Sequence, residues 1–387
     1  MSKRRVAFAL AGVLDVSAGL GQTFDEFALP NASSGPATMA VGPDGNLWFT
    51  ETTTIANRIG RITTFGAVTE FTLPTAHSDP FGIAAGPDGN LWITEYSTNR
   101  VARITTAGVL TEFSVPTSNA GPYGIAAGPD GNLWFTEVNV VANKIGRITT
   151  AGVIAEFSIP TAASQPSKIA PGPDGNLWFT EQTGNKIGRI TTSGTITEFS
   201  IPTAGAGPWD ITAGPDGNLW FTEGYGGNQL GRITISGTIT EFPVPSGNAG
   251  PRDITAGPDG NLWFTENNFF AGKVARITTA GVMTEFPVPT SGAGPWGITA
   301  GPDGNIWFTE DSANQIGRLN LAAASTPTPT PTTAATVTPT PVLGAATPTP
   351  PVGTGPAATV PTLSPLAFAG LAAGLLSAAL FLLNRQS

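Results

Sequence analysis

One ten-residue phrase, Gly-Pro-Asp-Gly-Asn-Leu/Ile-Trp-Phe/Ile-Thr-Glu, occurs seven times in this chain. Its tryptophans are Trp48, Trp92, Trp134, Trp178, Trp220, Trp263 and Trp307, spaced 44, 42, 44, 42, 43 and 44 residues apart. A unit of this size cannot bury a core alone, so neighbouring units must stack. A period in the low forties with one tryptophan per unit is the pattern of propeller blades. The 49 Gly and 35 Pro among 387 residues exclude a helical bundle, which tolerates few such breakers.

Each unit reads as four strands. The segment Ile-Ala/Thr-Ala-Gly runs into Pro-Asp-Gly-Asn, a turn whose Gly supplies the positive φ. Leu-Trp-Phe-Thr-Glu then alternates as a half-buried strand does. Ile-Gly-Arg-Ile-Thr and Ile-Thr-Glu-Phe follow, joined by a turn at Ala/Ser-Gly. In six units an Arg precedes a Glu by nine residues, as in Arg61/Glu70 and Arg103/Glu112. Folding the last two strands together suggests cross-strand ion pairs. The seventh unit has Arg318 but no such Glu, whereas Phe24-Asp25-Glu26-Phe27 near the N-terminus is a fourth strand without the three before it. The expected fold is therefore all-β: a seven-bladed β-propeller of four-stranded blades over residues 22–322. Its N-terminal strand completes the last blade, with Glu26 facing Arg318, and closure leaves no strand edges between blades.

Residues present in every blade build the blade; function belongs where blades differ. The most variable position lies at the start of the first strand, in Pro-x-Gly/Asp-Ile, where Ala37, Phe81, Tyr123, Ser167, Trp209, Arg252 and Trp296 stand. Innermost strands line the central channel, so these seven rim one mouth of it. Phe81, Tyr123, Trp209, Arg252 and Trp296, near Lys168, Asp210 and Asp253, suit a ring-bearing small molecule or a glycan-like ligand. The alternative is that the aromatics fill the channel and pack on each other. His77, two residues before Asp79, is the one imidazole available for acid/base work, although a polar loop residue needs no such role.

Composition narrows the chemistry. There is no cysteine and a single histidine, so thiol catalysis, disulfides and Cys/His zinc sites are excluded. The net charge is −9 and the 18 Lys and Arg are spread evenly, which speaks against a nucleic-acid partner.

The two ends differ from the repeats. Lys3, Arg4 and Arg5 precede an apolar run to Leu14 and the small residues Val16-Ser17-Ala18, the three-part pattern of a secretory signal over residues 1–18. A Pro/Thr-rich tract over 323–361 has the composition of a stiff spacer. Leu366 to Leu383 carries no charge and, as a helix, spans about 27 Å, enough for a bilayer core, with Arg385 following. The order Pro361-Thr362-Leu363-Ser364, apolar stretch, basic end resembles bacterial PEP-CTERM-type sorting signals. That resemblance implies an exported protein at the cell surface, held by the membrane or handed to a sorting enzyme.

The repeat itself, with Asn-Lys-Ile-Gly-Arg-Ile-Thr and Ile-Thr-Glu-Phe-x-Ile/Val-Pro-Thr around the tryptophan phrase, is similar to the virginiamycin B lyase (streptogramin lyase) family throughout residues 22–322. The resemblance implies a seven-bladed propeller. It also implies a carbon–oxygen lyase that linearises cyclic depsipeptides by elimination, using a base and a Mg²⁺ held by carboxylates. The family carries histidines at the variable position of the last two blades and a Glu before the last Pro. Those positions here are Arg252, Trp296 and Gly294, so the family's base is missing. Glu310 or Asp311 falls where an acid for the metal is implied. Three readings stand at this point: a recognition module, a Mg²⁺-dependent lyase and a structural envelope protein.

Overall fold

The structure, a computed structural model, describes residues 16–18, 22–53, 56–224, 226–267 and 272–321. The basic N-terminus, the Pro/Thr tract and the apolar segment 366–383 lie outside these residues. Within them the chain forms seven antiparallel sheets and no helix. Blade 1 is Pro36–Val41, Leu47–Glu51, Arg58–Ile62 and Val68–Thr72 in spatial order, and the next five blades repeat this meander.

Blade 7 is built from both ends of the propeller. Pro295–Ala300, Ile306–Glu310 and Gln315–Asn320 are completed by Gln22–Ala28, and the short strand Val16–Ala18 pairs outside that. First strands of successive blades pack against each other, and that of blade 7 packs on that of blade 1, so the ring is closed.

The repeated residues make the blade. Each tryptophan is fully buried, and its indole N–H donates to the turn Asp four residues earlier, as from Trp48 to Asp44 at 3.0 Å and from Trp220 to Asp216 at 3.1 Å. The turn holds its shape because Gly45 and its six equivalents sit at φ near +75°, where a side chain is disfavoured. The fourth-strand Phe stacks on the tryptophan, Phe71 on Trp48 at 5.3 Å, and Arg61 covers both rings.

The expected ion pairs are shifted by one residue. Arg61 faces Thr69, and Glu70 faces Gly60, so the Arg and the Glu nine apart point to opposite faces of the sheet. Where a cation opens the third strand, the Glu meets that residue instead, as in Arg100–Glu112 at 2.5 Å, Lys144–Glu156 at 2.9 Å and Lys186–Glu198 at 3.0 Å; blade 5 has Gln229 there. The Arg reaches the turn Asp on its own face, as Arg61 reaches Asp44 at 3.6 Å. The same slip corrects the seam. Asp25, not Glu26, lies opposite Arg318, and its carboxylate accepts from the guanidinium Nε at 2.9 Å. Glu26 faces Gly317 and accepts from the Thr290 N–H at 3.1 Å and hydroxyl at 2.7 Å. That is the role Glu112 plays towards Thr75 in blade 2. Closure by the N-terminal strand stands; its partners are different.

Candidate functional site at the channel mouth

The seven variable residues sit in irregular stretches of the first strands, where the pairing register shifts between the Pro and the residue three on, as at Pro36/Met39 and Pro295/Ile298. One repeated side chain fixes every one of these bulges. The Thr of Trp-Phe/Ile-Thr-Glu accepts the N–H of the residue after the variable one in its own blade and donates to the carbonyl of the variable residue in the next. Thr180 accepts from Lys168 at 3.1 Å and donates to Trp209 at 2.8 Å. Thr309 accepts from Gly297 at 2.8 Å and donates across the seam to Ala37 at 2.6 Å. The variable backbone is therefore held by groups common to all blades, which leaves its side chains free to differ.

Most of those side chains pack on one another. Ala37, Phe81 and Trp209 form a buried cluster with Tyr123 and Trp296 packed against it. The Phe81 and Tyr123 rings stack at 3.7 Å, and Trp209 meets Tyr123 and Trp296 edge-on at 5.9 and 6.1 Å. The Arg252 guanidinium lies between two indoles, 3.9 Å from Trp209 and 3.8 Å from Trp296. Lys168 sits over Phe81 at 5.4 Å and pairs with Asp253 at 3.2 Å. Burial, and next the Asp253 carboxylate, push the neighbouring Asp210 carboxyl up to about 7. The Asp210 carboxylate caps the backbone N–H of Ile254 and of Ile211, both at 2.8 Å.

The sequence-derived residues thus separate into two groups. Trp209 and Arg252 are inside the plug, and Trp209 is only 6% exposed. Phe81, Tyr123 and Trp296 also face a cavity of about 280 Å³ beside it, which Asp311 lines together with Ala37, Thr52, Asp79 and Tyr96. Ala37 is the one small apolar residue among the aromatics at these positions, and it lines the cavity beside Phe81 and Trp296, whose rings meet edge-on at 6.4 Å. Reading the variable position alone missed Asp79 and Tyr96. A signal was present for Asp79: the residue before the Pro is Gly in five blades and Gln165 in another. Asp79 keeps the same left-handed backbone, φ 51° against 59° at Gly35.

His77 is exposed on its loop at φ 59° and is not among the residues lining the cavity. Glu310 is fully buried, and burial, then Glu26, push its carboxyl up to about 9, so it holds its proton at neutral pH. Among the described residues no three acids or histidines come close enough together to hold a metal. A resident Mg²⁺ needs anionic oxygens with room for its waters, and a sealed, protonated Glu310 does not offer them. The acids present do not fit that ion.

The sequence model of the virginiamycin B lyase family matches residues 17–189 and 119–340. The chain belongs to this family. Among solved structures, a streptogramin B lyase is 39% identical with a TM-score of 0.73, covering 78% of this chain and 98% of its own. Virginiamycin B lyase from Staphylococcus aureus is 43% identical with a TM-score of 0.73, covering 78% of this chain and all of its own. A catalytically inactive histidine-to-alanine variant of the Staphylococcus aureus enzyme, solved with quinupristin, aligns equally well. No curated protein matches the sequence. A hydrazine synthase at 16% identity and TM-score 0.60 shares the fold alone.

Proposed function

We propose that this chain is a recognition propeller of the virginiamycin B lyase family: it binds a small ring-bearing or glycan-like ligand at its channel mouth and does not carry out the elimination. The observation that carries this reading is the Arg252 guanidinium held between Trp209 and Trp296. Arg252 and Trp296 occupy the two positions where the family resemblance implies histidines. Elimination needs a base to take the proton next to the carbonyl. A guanidinium is always protonated and an indole is not basic, so neither supplies one. The loss of activity on replacing one histidine in the Staphylococcus aureus enzyme agrees with that requirement.

The lyase reading is favoured by one observation, the 43% identity over the full length of that enzyme. For it to hold, His77 must act as base from an exposed loop, and Asp311 must serve the metal without Glu310. The basic and apolar ends of the chain support export, with the propeller displayed at the cell surface by the segment 366–383 or passed to a sorting enzyme.

The binding reading is tested by titrating the full chain with a panel of ring-bearing small molecules and oligosaccharides. Trp296→Ala and Tyr123→Ala should weaken any hit while thermal unfolding stays cooperative. Hits that survive both substitutions place the ligand elsewhere, and a panel without hits favours a structural envelope role.

A further inference from the structure

The cavity beside the plug has a chemical character of its own, and it refines the recognition reading on which it rests. It is lined by the aromatic residues Phe81, Tyr96, Tyr123 and Trp296, by Ala37 and Thr52, and by two charged residues, Asp79 and Asp311. No Lys or Arg lines it. Of the cations nearby, Lys168 pairs with Asp253, and Arg252 stacks between indoles while its charge reaches Asp311. Neither acid belongs to the blade frame. Asp79 stands where most blades have Gly, and Asp311 stands where the other blades have Thr52, Tyr96, Val138, Gln182, Gly224 and Asn267. Burial raises both carboxyls above the ordinary range; the Ser97 hydroxyl opposes this at Asp79, and the Arg252 charge opposes it at Asp311. The Trp296 indole N–H is buried and has no acceptor in the protein.

We infer that this cavity binds a small organic ammonium ion carrying a nearby hydroxyl or ether oxygen. Aromatic faces attract a cation through their quadrupole, and they do so more strongly in a partly dry pocket. Two carboxylates on the same walls add the full charge that a neutral ring ligand would not use. The Trp296 N–H then finds its acceptor in the ligand's oxygen, which removes the cost of an unpaired buried donor. A neutral sugar would leave Asp79 without a counter-charge, and an anion would meet both acids directly.

The probe is choline, against 3,3-dimethyl-1-butanol, which has the same shape without the charge. The full chain in a non-ionic detergent is titrated with each by calorimetry. Choline should bind saturably, and the neutral analogue should bind at least about ten-fold more weakly. Asp79→Asn with Asp311→Asn should cost choline about ten-fold or more. Asn tolerates the left-handed backbone at position 79, so this variant keeps the loop. Ala37→Trp should fill the cavity and abolish binding.

Equal binding of the neutral analogue, or no saturable choline binding at millimolar concentration, overturns the inference. Binding of methyl glucoside with choline inert overturns it too, while leaving a ring-ligand role intact. Turnover of a streptogramin would instead overturn the non-catalytic reading and would leave choline binding unaffected.

Discussion

The hydroxyl of Thr309 donates to the carbonyl of Ala37 at 2.6 Å, joining the last blade to the first across 272 residues of sequence. The same oxygen accepts from Gly297, so one buried side chain serves two backbone groups at the seam. Thr309→Val keeps the shape and removes both partners. Each buried backbone group left unpaired costs roughly 1–3 kcal/mol, so the variant should lose about 2–6 kcal/mol. Thr309→Ser should recover most of it. Chemical unfolding of the two variants beside the parent checks this.

The turn carboxylates are structural in the same sense. Asp216→Ala removes the acceptor of the Trp220 N–H and of Asn218, and it strands a donor on a fully buried indole. The expected loss is about 2 kcal/mol, with no change in ligand binding at the mouth. Asp216→Asn, which keeps an acceptor oxygen, should lose less.

The seven glutamates that end the second strands predict an unusual response to pH. Burial, the largest cause in every case, raises Glu51 and Glu95 to about 7, Glu137, Glu181, Glu223 and Glu266 to about 8 and Glu310 to about 9. Their folded form keeps a proton that the unfolded chain gives up near 4.5. Stability from these groups is therefore complete below pH 4.5 and is lost as pH rises through 7 to 9. The turn aspartates act in the opposite sense. Their hydrogen bonds to Asn and Trp overcome the opposing effect of burial and hold them below their usual value, so they weaken the fold only as pH falls below about 4. Thermal unfolding should show maximal stability near pH 5, with the midpoint at pH 8 lower by on the order of 5 °C. Glu223→Gln should raise the midpoint at pH 8 and leave it unchanged at pH 5. A midpoint that rises from pH 5 to pH 8 contradicts this assignment.

Restoring the family pattern at position 294 should meet local resistance. Gly294 lies at φ 62°, and a Cβ there would stand 2.7 Å from the Ser312 hydroxyl. Gly294→Glu should cost about 1–2 kcal/mol, and Ser312→Gly in the same chain should return part of it. Asp79 and Gln165 show that the backbone accepts a side chain at this angle where space allows.

The fold was legible because its signals repeat. Seven copies of one phrase fixed blade number and strand order, and the unpaired Phe24-Asp25-Glu26-Phe27 segment revealed how the ring closes. Register was not legible at single-residue precision. Arg61 and Glu70 are as compatible with a nine-residue cross-strand pair as with the observed pattern, and only the tight Thr-Thr-Phe-Gly turn decides between them. A slip of one residue turns every side chain to the other face, which is why Asp25 and not Glu26 meets Arg318. At the mouth, variability picked out seven positions but not their packing. Whether Trp209 faces solvent or Arg252 depends on neighbours brought in from other blades, and no local pattern carries that. Ala37 matters by being small, and a gap leaves little mark in a sequence.

The central claim is that this propeller has kept the family's frame while its mouth has lost the means to eliminate. The most direct test is to incubate the full chain with a type B streptogramin, with and without Mg²⁺, and to follow the antibiotic by chromatography and mass. The account predicts unchanged antibiotic in both samples at high protein concentration. A new peak of unchanged mass that requires Mg²⁺ would be the linear product of elimination and would contradict it.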